Sequence, residues 1–252
     1  MTRPGRLLRQ PVQARTLTTD GARVNARPDG MLLVDKPAGV TSHDVVQLVR
    51  RVYGERSIGH LGTLDPFATG LLVLLIGHST RLATFMVTDP KVYEATIRFG
   101  SETDTDDCTG AVIREAAAPS SEAITAAIPS LTGSISQVPP AYSAKSVDGT
   151  RAYDAARQGS PIELAPVEVR VDEWTILATR PTEIDARITC GTGTYIRALA
   201  RDLGRATGSA AHLSALRRTR SGTFDVADAS TLDEIKRSAP PLLKLSVVTS
   251  HA

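Results

Sequence analysis

The sequence predicts a mixed α/β (α+β) fold, on three observations. Leu71 to Ile76 is an unbroken apolar run directly behind a loop of turn formers, which reads as a short buried strand. Lys91 to Arg98 alternates polar and apolar residues, so one face of a second strand points toward a core. Val45, Leu48, Val49 and Val52 recur at helical spacing, and so do Ile196, Leu199, Ala200 and Leu203.

In chain order, Met31 to Lys36 reads as a buried strand ending in polar residues, and Pro37-Ala38-Gly39 as a turn. Thr41 with Asp44 fits a capping box that opens a helix of about three turns. The outer side of this helix carries Arg50 and Arg51, and Arg56 follows. The three read equally well as a solvated face or as phosphate contacts. Thr80 to Met86 reads as a helix, and Ser121 to Leu131 as a surface helix. Val167 to Ala178 and Ile184 to Thr189 pair as a hairpin. The helix opening at Ile196 has Gly204 suited to its C-terminal end. Ser230 to Ser238 forms a last short helix. Thr103 to Asp107 is acidic but lacks the glycine and distal glutamate of a calcium loop, so it reads as a polar loop with no metal.

Composition narrows the function classes. The 252 residues are ample for one large domain or two modest ones, with 41% apolar residues to fill a core. A net charge of +2 gives little bulk attraction for a polyanion, so any nucleic-acid contact needs a local basic face. The two cysteines, Cys108 and Cys190, form no metal or redox motif, which suits buried thiols in a reducing compartment. No apolar run approaches the length needed to span a bilayer. Residues 1–28 are rich in arginine without an apolar h-region and read as a basic flexible N-terminal extension rather than a secretory signal.

The densest chemistry lies in Gly59-His60-Leu61-Gly62-Thr63-Leu64-Asp65-Pro66-Phe67-Ala68-Thr69-Gly70. Pro66 fixes its own φ and drives Asp65 toward an extended conformation, so a carboxylate stands on a stiff bend just before the buried strand. On residue types alone, an Asx-turn at a strand entry is the favoured reading of Asp65, because Asp-Pro turns are common. The stretch resembles the active-site loop of the TruB family of tRNA pseudouridine-55 synthases, G-H-x-G-x-L-D-P-x-A-T-G, and holds every fixed position of it. Further motifs follow in the family's order over roughly residues 29–235: D-K-P-x-G at Asp35 to Gly39, K-x-Y at Lys91 to Tyr93, G-T-Y-I-R at Gly193 to Arg197, and the run Ala211 to Gly222.

The resemblance implies a pseudouridine synthase catalytic domain over 29–235. Its central mixed sheet is mostly antiparallel with flanking helices, and a thumb is inserted at about 138–162. Residues 236–252 are then a short tail, with no PUA domain, and weaker tRNA affinity is expected than in relatives that carry one. It further implies Asp65 as the catalytic aspartate, Arg197 paired to it, and Tyr195 beside the base as a general base or a pocket wall. Tyr93 would stack on the target base, Leu216 line the uracil pocket, His60 fill the gap left by the flipped nucleotide, and Lys36 support the substrate or the structure. Arg217, Arg218 and Arg220 form a basic cluster suited to phosphate. The family's thumb lysine is displaced by one residue here, to Lys145.

The implied reaction converts uridine-55 in the T-loop of tRNA to pseudouridine. It is an isomerisation with no cofactor, no metal and no guide RNA, carried out by a cytoplasmic monomer on the T-arm. The target base must be flipped out, at a cost of a few kcal/mol. Stacking on Tyr93 returns roughly 1–3 kcal/mol. A non-catalytic RNA-binding or tRNA-folding protein using the same cleft is the competing reading, and a guide-dependent relative is a third.

Overall fold

The computed structural model describes residues 27–143, 145–147, 150–158, 160 and 162–244. Most of the basic extension, part of the thumb and the end of the tail lie outside the described residues. In chain order the elements are β1 (Gly30–Lys36), α1 (Ser42–Tyr53), β2 (Ile58–Leu61), β3 (Thr69–Ile76), β4 (Lys91–Phe99), β5 (Ser101–Thr103) and β6 (Val112–Glu115). Then come α2 (Ser121–Ala127), β7 (Gly133–Gln137), β8 (Ser146–Val147), β9 (Thr150–Arg151), α3 (Ala152–Arg157), β10 (Val167–Arg180) and β11 (Glu183–Cys190). The chain closes with α4 (Ile196–Ala206), β12 (Ala211–Ser221), β13 (Phe224–Asp225), β14 (Ser230–Thr231) and α5 (Leu232–Ser238).

These elements fold into two compact units. The first holds residues up to Pro66, Gly70–Met86 and Val226 onward. Its strands run β14-β1-β3-β2, with β1 parallel to β14 and antiparallel to β3, and β2 antiparallel to β3. From Leu71 to Ile76 every side chain is at most 1% exposed, as an all-apolar strand requires. The α1 capping box forms as the sequence predicts. Thr41 Oγ1 accepts from Asp44 N at 3.0 Å, and the Asp44 carboxylate accepts from Thr41 N at 2.9 Å. Val45, Val46 and Val49 supply its buried face.

The second unit holds Phe67–Thr69 and Val87–Asp225. Its main strands run β13-β12-β4-β11-β10-β7, all antiparallel, with β5 and β6 as a separate ribbon. β4 alternates buried and outward residues along its length, as its sequence does. The α4 helix buries Ile196, Leu199, Ala200 and Leu203. The fold is thus mixed α/β with mostly antiparallel pairing, as expected. Among the described residues no helix is long and apolar enough to cross a membrane.

Three elements differ in detail from expectation. The helix expected over Thr80 to Met86 forms as a 3-10 helix that starts earlier, over Gly77–Phe85. Asp29, fifty residues away, accepts from both Ser79 N and Ser79 Oγ, and Thr80 Oγ1 donates to Gly77 O, so one distant and one local side chain hold the tighter turn. The helix from Ser121 ends as α-helix at Ala127 and continues as a 3-10 turn through Leu131, because Pro129 has no N–H to extend the ladder. Gly204 lies inside α4 rather than at its end. A Cβ there would sit 2.5 Å from Ala211 N, so the glycine permits close passage of β12's first residue.

Candidate active site

In the first unit, the loop bearing Asp65 is braced on both sides of that residue. The Ser42 hydroxyl donates to Leu64 O at 3.1 Å and accepts from Leu64 N at 3.0 Å, fixing the peptide units before Asp65. On the other side, Pro66 O accepts from Gly39 N at 2.8 Å and from Lys36 Nζ at 3.3 Å. Lys36 Nζ also donates to Val40 O at 2.7 Å and to Pro37 O at 3.0 Å. So the D-K-P-x-G turn and the start of α1 form the clamp that holds Asp65, with Pro66 stiffening it. Gly62 and Gly70 bound the loop with φ of 81° and 100°, conformations open to glycine.

Lys36 is 0% exposed. Burial pushes its ammonium pKa down to about 8, against the opposing pull of the Asp65 and Asp44 carboxylates. Its position is structural and electrostatic: it ties the loop while placing a positive charge near Asp65. His60 lies on β2 opposite Leu74 of β3, half-buried, rather than on an open loop rim.

In the second unit, Tyr195 is the N-cap residue of α4. Gln137, at the end of β7 and fully buried, grips it by both backbone groups. Tyr195 N donates to Gln137 Oε1 at 2.9 Å, and Gln137 Nε2 donates to Tyr195 O at 3.2 Å. Arg197, in the first turn of α4, is 5% exposed. Its guanidinium donates to Thr105 O and Tyr142 O, each at 2.9 Å, and stands 3.6 Å from the Asp107 carboxylate. One turn on, Arg201 pairs with Asp106 at 2.8 Å and donates to Val138 O at 2.8 Å. Glu102 takes both Arg205 and Arg114. Burial pushes the Asp106 carboxyl up to about 6 despite the opposing Arg201 and Arg197 charges.

Tyr93 and Leu216 lie on neighbouring antiparallel strands. Tyr93 is opposite Arg218 and Leu216 opposite Ala95, so the four side chains share one sheet face. Both Tyr93 and Leu216 are buried. Thr69 Oγ1 donates to Leu216 O at 3.4 Å. Arg218, at 1% exposure, cannot reach an RNA backbone on the surface, which corrects its place in the basic cluster. A β-bulge between Arg218 and Arg220 breaks the strand's alternation, so Arg218 is buried while Arg220 stays exposed. Cys190 is buried, with its thiol pushed up to about 12, but Cys108 is exposed, correcting the expectation of two buried thiols. Lys145 is exposed and precedes β8 rather than lying within a strand. Among the described residues no three His, Cys, Asp or Glu side chains gather as a metal-binding group.

The profile of the TruB family pseudouridylate synthases (N-terminal domain) matches residues 50–196, and that of the tRNA pseudouridylate synthase B C-terminal domain matches residues 197–240. The chain belongs to the TruB family. Among TruB relatives, tRNA pseudouridine synthase B of Thermobifida fusca (strain YX) is 51% identical over 217 residues, covering 82% of this chain and 74% of the relative. The tRNA pseudouridine synthase B of Mycobacterium ulcerans (strain Agy99) is 47% identical, over 90% of this chain and 77% of its own. Among solved structures, a Cbf5-Nop10-Gar1 complex superposes with a TM-score of 0.67 at 24% identity, over 88% of this chain and 62% of that one; this likeness bears on the fold. An H/ACA RNP bound to a substrate RNA containing 2′-deoxyuridine matches with a TM-score of 0.61 at 26% identity, over 82% of this chain. The chain spans about half the length of that solved chain, at 52%.

Sequence reading named the TruB residues carried on the motifs but missed those that hold them. Ser42, Gln137, Thr105, Asp106, Asp107 and Arg201 brace the loop or the start of α4. Asp106 and Asp107 were visible as an acidic run. Their signal was the basic face of α4, where Arg197, Arg201 and Arg205 recur four residues apart.

Proposed function

We propose that this chain converts uridine-55 in the T-loop of tRNA to pseudouridine, with Asp65 as its catalytic carboxylate. The reaction class follows from membership of the TruB family and from the tRNA pseudouridine synthase B relatives at about half identity over most of the chain. The observation that supports Asp65 in particular is its double brace: Ser42 on Leu64 and Lys36 with Gly39 on Pro66.

The isomerisation breaks the bond from ribose C1′ to uracil N1 and makes one from C1′ to C5. The C5 proton leaves and N1 gains a proton, so atoms and electrons balance without a redox partner. The Asp65 carboxylate acts on the flipped nucleotide at C6 or at C1′. Tyr195 takes the C5 proton or walls the pocket, Arg197 steadies the Asp65 charge, Tyr93 and Leu216 pack on the base, and His60 fills the vacated stack. Lys36 supports the loop. The catalytic domain is residues 29–235 with the thumb at about 138–162, working as a cytoplasmic monomer on the T-arm without guide RNA, cofactor or metal.

Asp65→Asn keeps the shape and loses the charge. Tritium release from C5-labelled tRNA is expected to fall by at least roughly a thousandfold, the scale of losing a reacting group, while tRNA affinity stays within about threefold. Release at the wild-type rate ends the assignment. Wild-type protein that binds tRNA yet forms no pseudouridine selects the non-catalytic RNA-folding reading.

A further inference from the structure

The C-terminal end of α1 and the turn after it enclose an open groove of about 480 Å3 lined by Gln47, Arg50, Arg51, Glu55 and Arg56. Three of its five side chains are guanidinium groups. The arginines of the second unit mostly face carboxylates: Arg98, Arg114, Arg180, Arg187, Arg201 and Arg205 each meet one within 3.3 Å. No ion pair forms to Arg50, Arg51 or Arg56 among the described residues. Arg51 Nε donates to Gln47 O at 3.3 Å and Arg50 Nη2 to Ile58 O at 3.5 Å, bonds that aim the side chains without neutralising them. The groove's only carboxylate, Glu55, accepts from Ser57 N at 2.8 Å and is occupied in shaping the turn. Complementarity to the helix dipole accounts for Arg50 and Arg51 in the last turn, but not for Arg56, which lies beyond the helix.

We propose that this groove binds phosphates of the substrate RNA's backbone, outside the loop that carries the target uridine. The inference rests on the RNA-isomerase reading of Asp65 and His60. Planar guanidinium groups with free donors suit phosphate oxygens, and three in one concavity hold a polyanion rather than a single small anion. The groove also lies close to His60. Arg56 precedes it by four residues, which span at most roughly 14 Å of chain. An RNA hairpin is longer than that, so a strand engaged at His60 brings neighbouring phosphates within reach of the groove. Neutralising them releases counterions, so the interaction strengthens binding most at low salt.

The test uses the full chain and a fluorescently labelled tRNA transcript, with Kd measured across a series of sodium chloride concentrations. Arg51→Gln with Arg56→Gln changes two exposed side chains with little risk to the fold, which thermal melting checks. The log–log salt slope is expected to fall by roughly one for each phosphate no longer neutralised, and Kd near 0.1 M salt to rise about three- to tenfold. Glu55→Gln removes the groove's negative charge and keeps an acceptor for Ser57 N, so it is expected to tighten binding. An unchanged slope in the double variant overturns the proposal, as does weaker binding with no change in slope. If the wild type forms pseudouridine while the double variant matches it in slope and Kd, the groove fails and the isomerase reading stands. If the wild type neither binds tRNA nor forms pseudouridine, the isomerase reading fails and the groove proposal with it.

Discussion

Lys36 in the first unit and Arg201 in the second are both almost completely buried, yet their partners differ in kind. Lys36 meets three backbone carbonyls, with carboxylates acting only from nearby. Arg201 meets the Asp106 carboxylate directly. Carbonyl dipoles satisfy the ammonium's donors but leave its charge uncancelled, so burial falls on the lysine and its pKa drops to about 8. A guanidinium holds its proton at any ordinary pH, so in the second unit burial falls on the carboxylate, and Asp106 rises to about 6. A buried cation's partners thus decide which group feels the interior. Lysine gives a charge that can be tuned, whereas arginine gives a fixed scaffold.

Breaking the scaffold should cost most. Arg201→Ala leaves Asp106 buried without its cation and frees Val138 O, so a loss of about 3–5 kcal/mol is expected in denaturant unfolding at pH 7. The loss should shrink at low pH, where Asp106 takes up a proton. In the intact pair, the folded-state value of about 6 lies above 3.8, so the folded chain binds more protons between these values. The contribution of Asp106 to stability therefore declines as pH rises from about 4 to 6, and Asp106→Asn should abolish that decline. Equal pH profiles for Asp106→Asn and wild type would dissolve the contrast.

Lys36→Met tests the other side. It keeps the length of the stem and strands three carbonyls, for an expected cost of about 2–4 kcal/mol. The wild-type lysine has a folded-state value of about 8, below 10.5, so the unfolded chain binds more protons between them and stability rises with pH across that window. Chemical unfolding from pH 8 to 10.5 should show this rise in the wild type and lose it in Lys36→Met. At the small end, Thr41→Ala removes a cap that touches neither buried cation and should cost about 1 kcal/mol by thermal melting. A larger loss would mean that the start of α1 transmits to the Asp65 loop through Ser42.

Much of the fold was legible because local patterns carry it. The apolar run of β3, the alternation of β4 and the Thr41–Asp44 box each specify an element from neighbours in sequence. The break at Pro129 is local, but the other departures fall where a distant group intervenes. The 3-10 turn at Gly77–Phe85 depends on Asp29, and the role of Gly204 depends on Ala211. Neither can be read from a short window of sequence. Arg218 was misplaced for a related reason. Its charge suggests a surface, but its register on β12 turns it toward the interior.

The order of the motifs and the residue types in the Asp65 loop were fixed by the chain alone, since family, reaction class and candidate carboxylate depend on which residues occur and in what spacing. Burial was decided in three dimensions. Only the folded chain shows that Lys36 has no access to solvent, that Gln137 of β7 grips Tyr195 at the start of α4, and that Asp107 and Asp106 of one loop stand against Arg197 and Arg201 of α4. The reason is physical: a charge acquires its cost and its pKa from the atoms packed around it, and those atoms are contributed by segments far away in sequence.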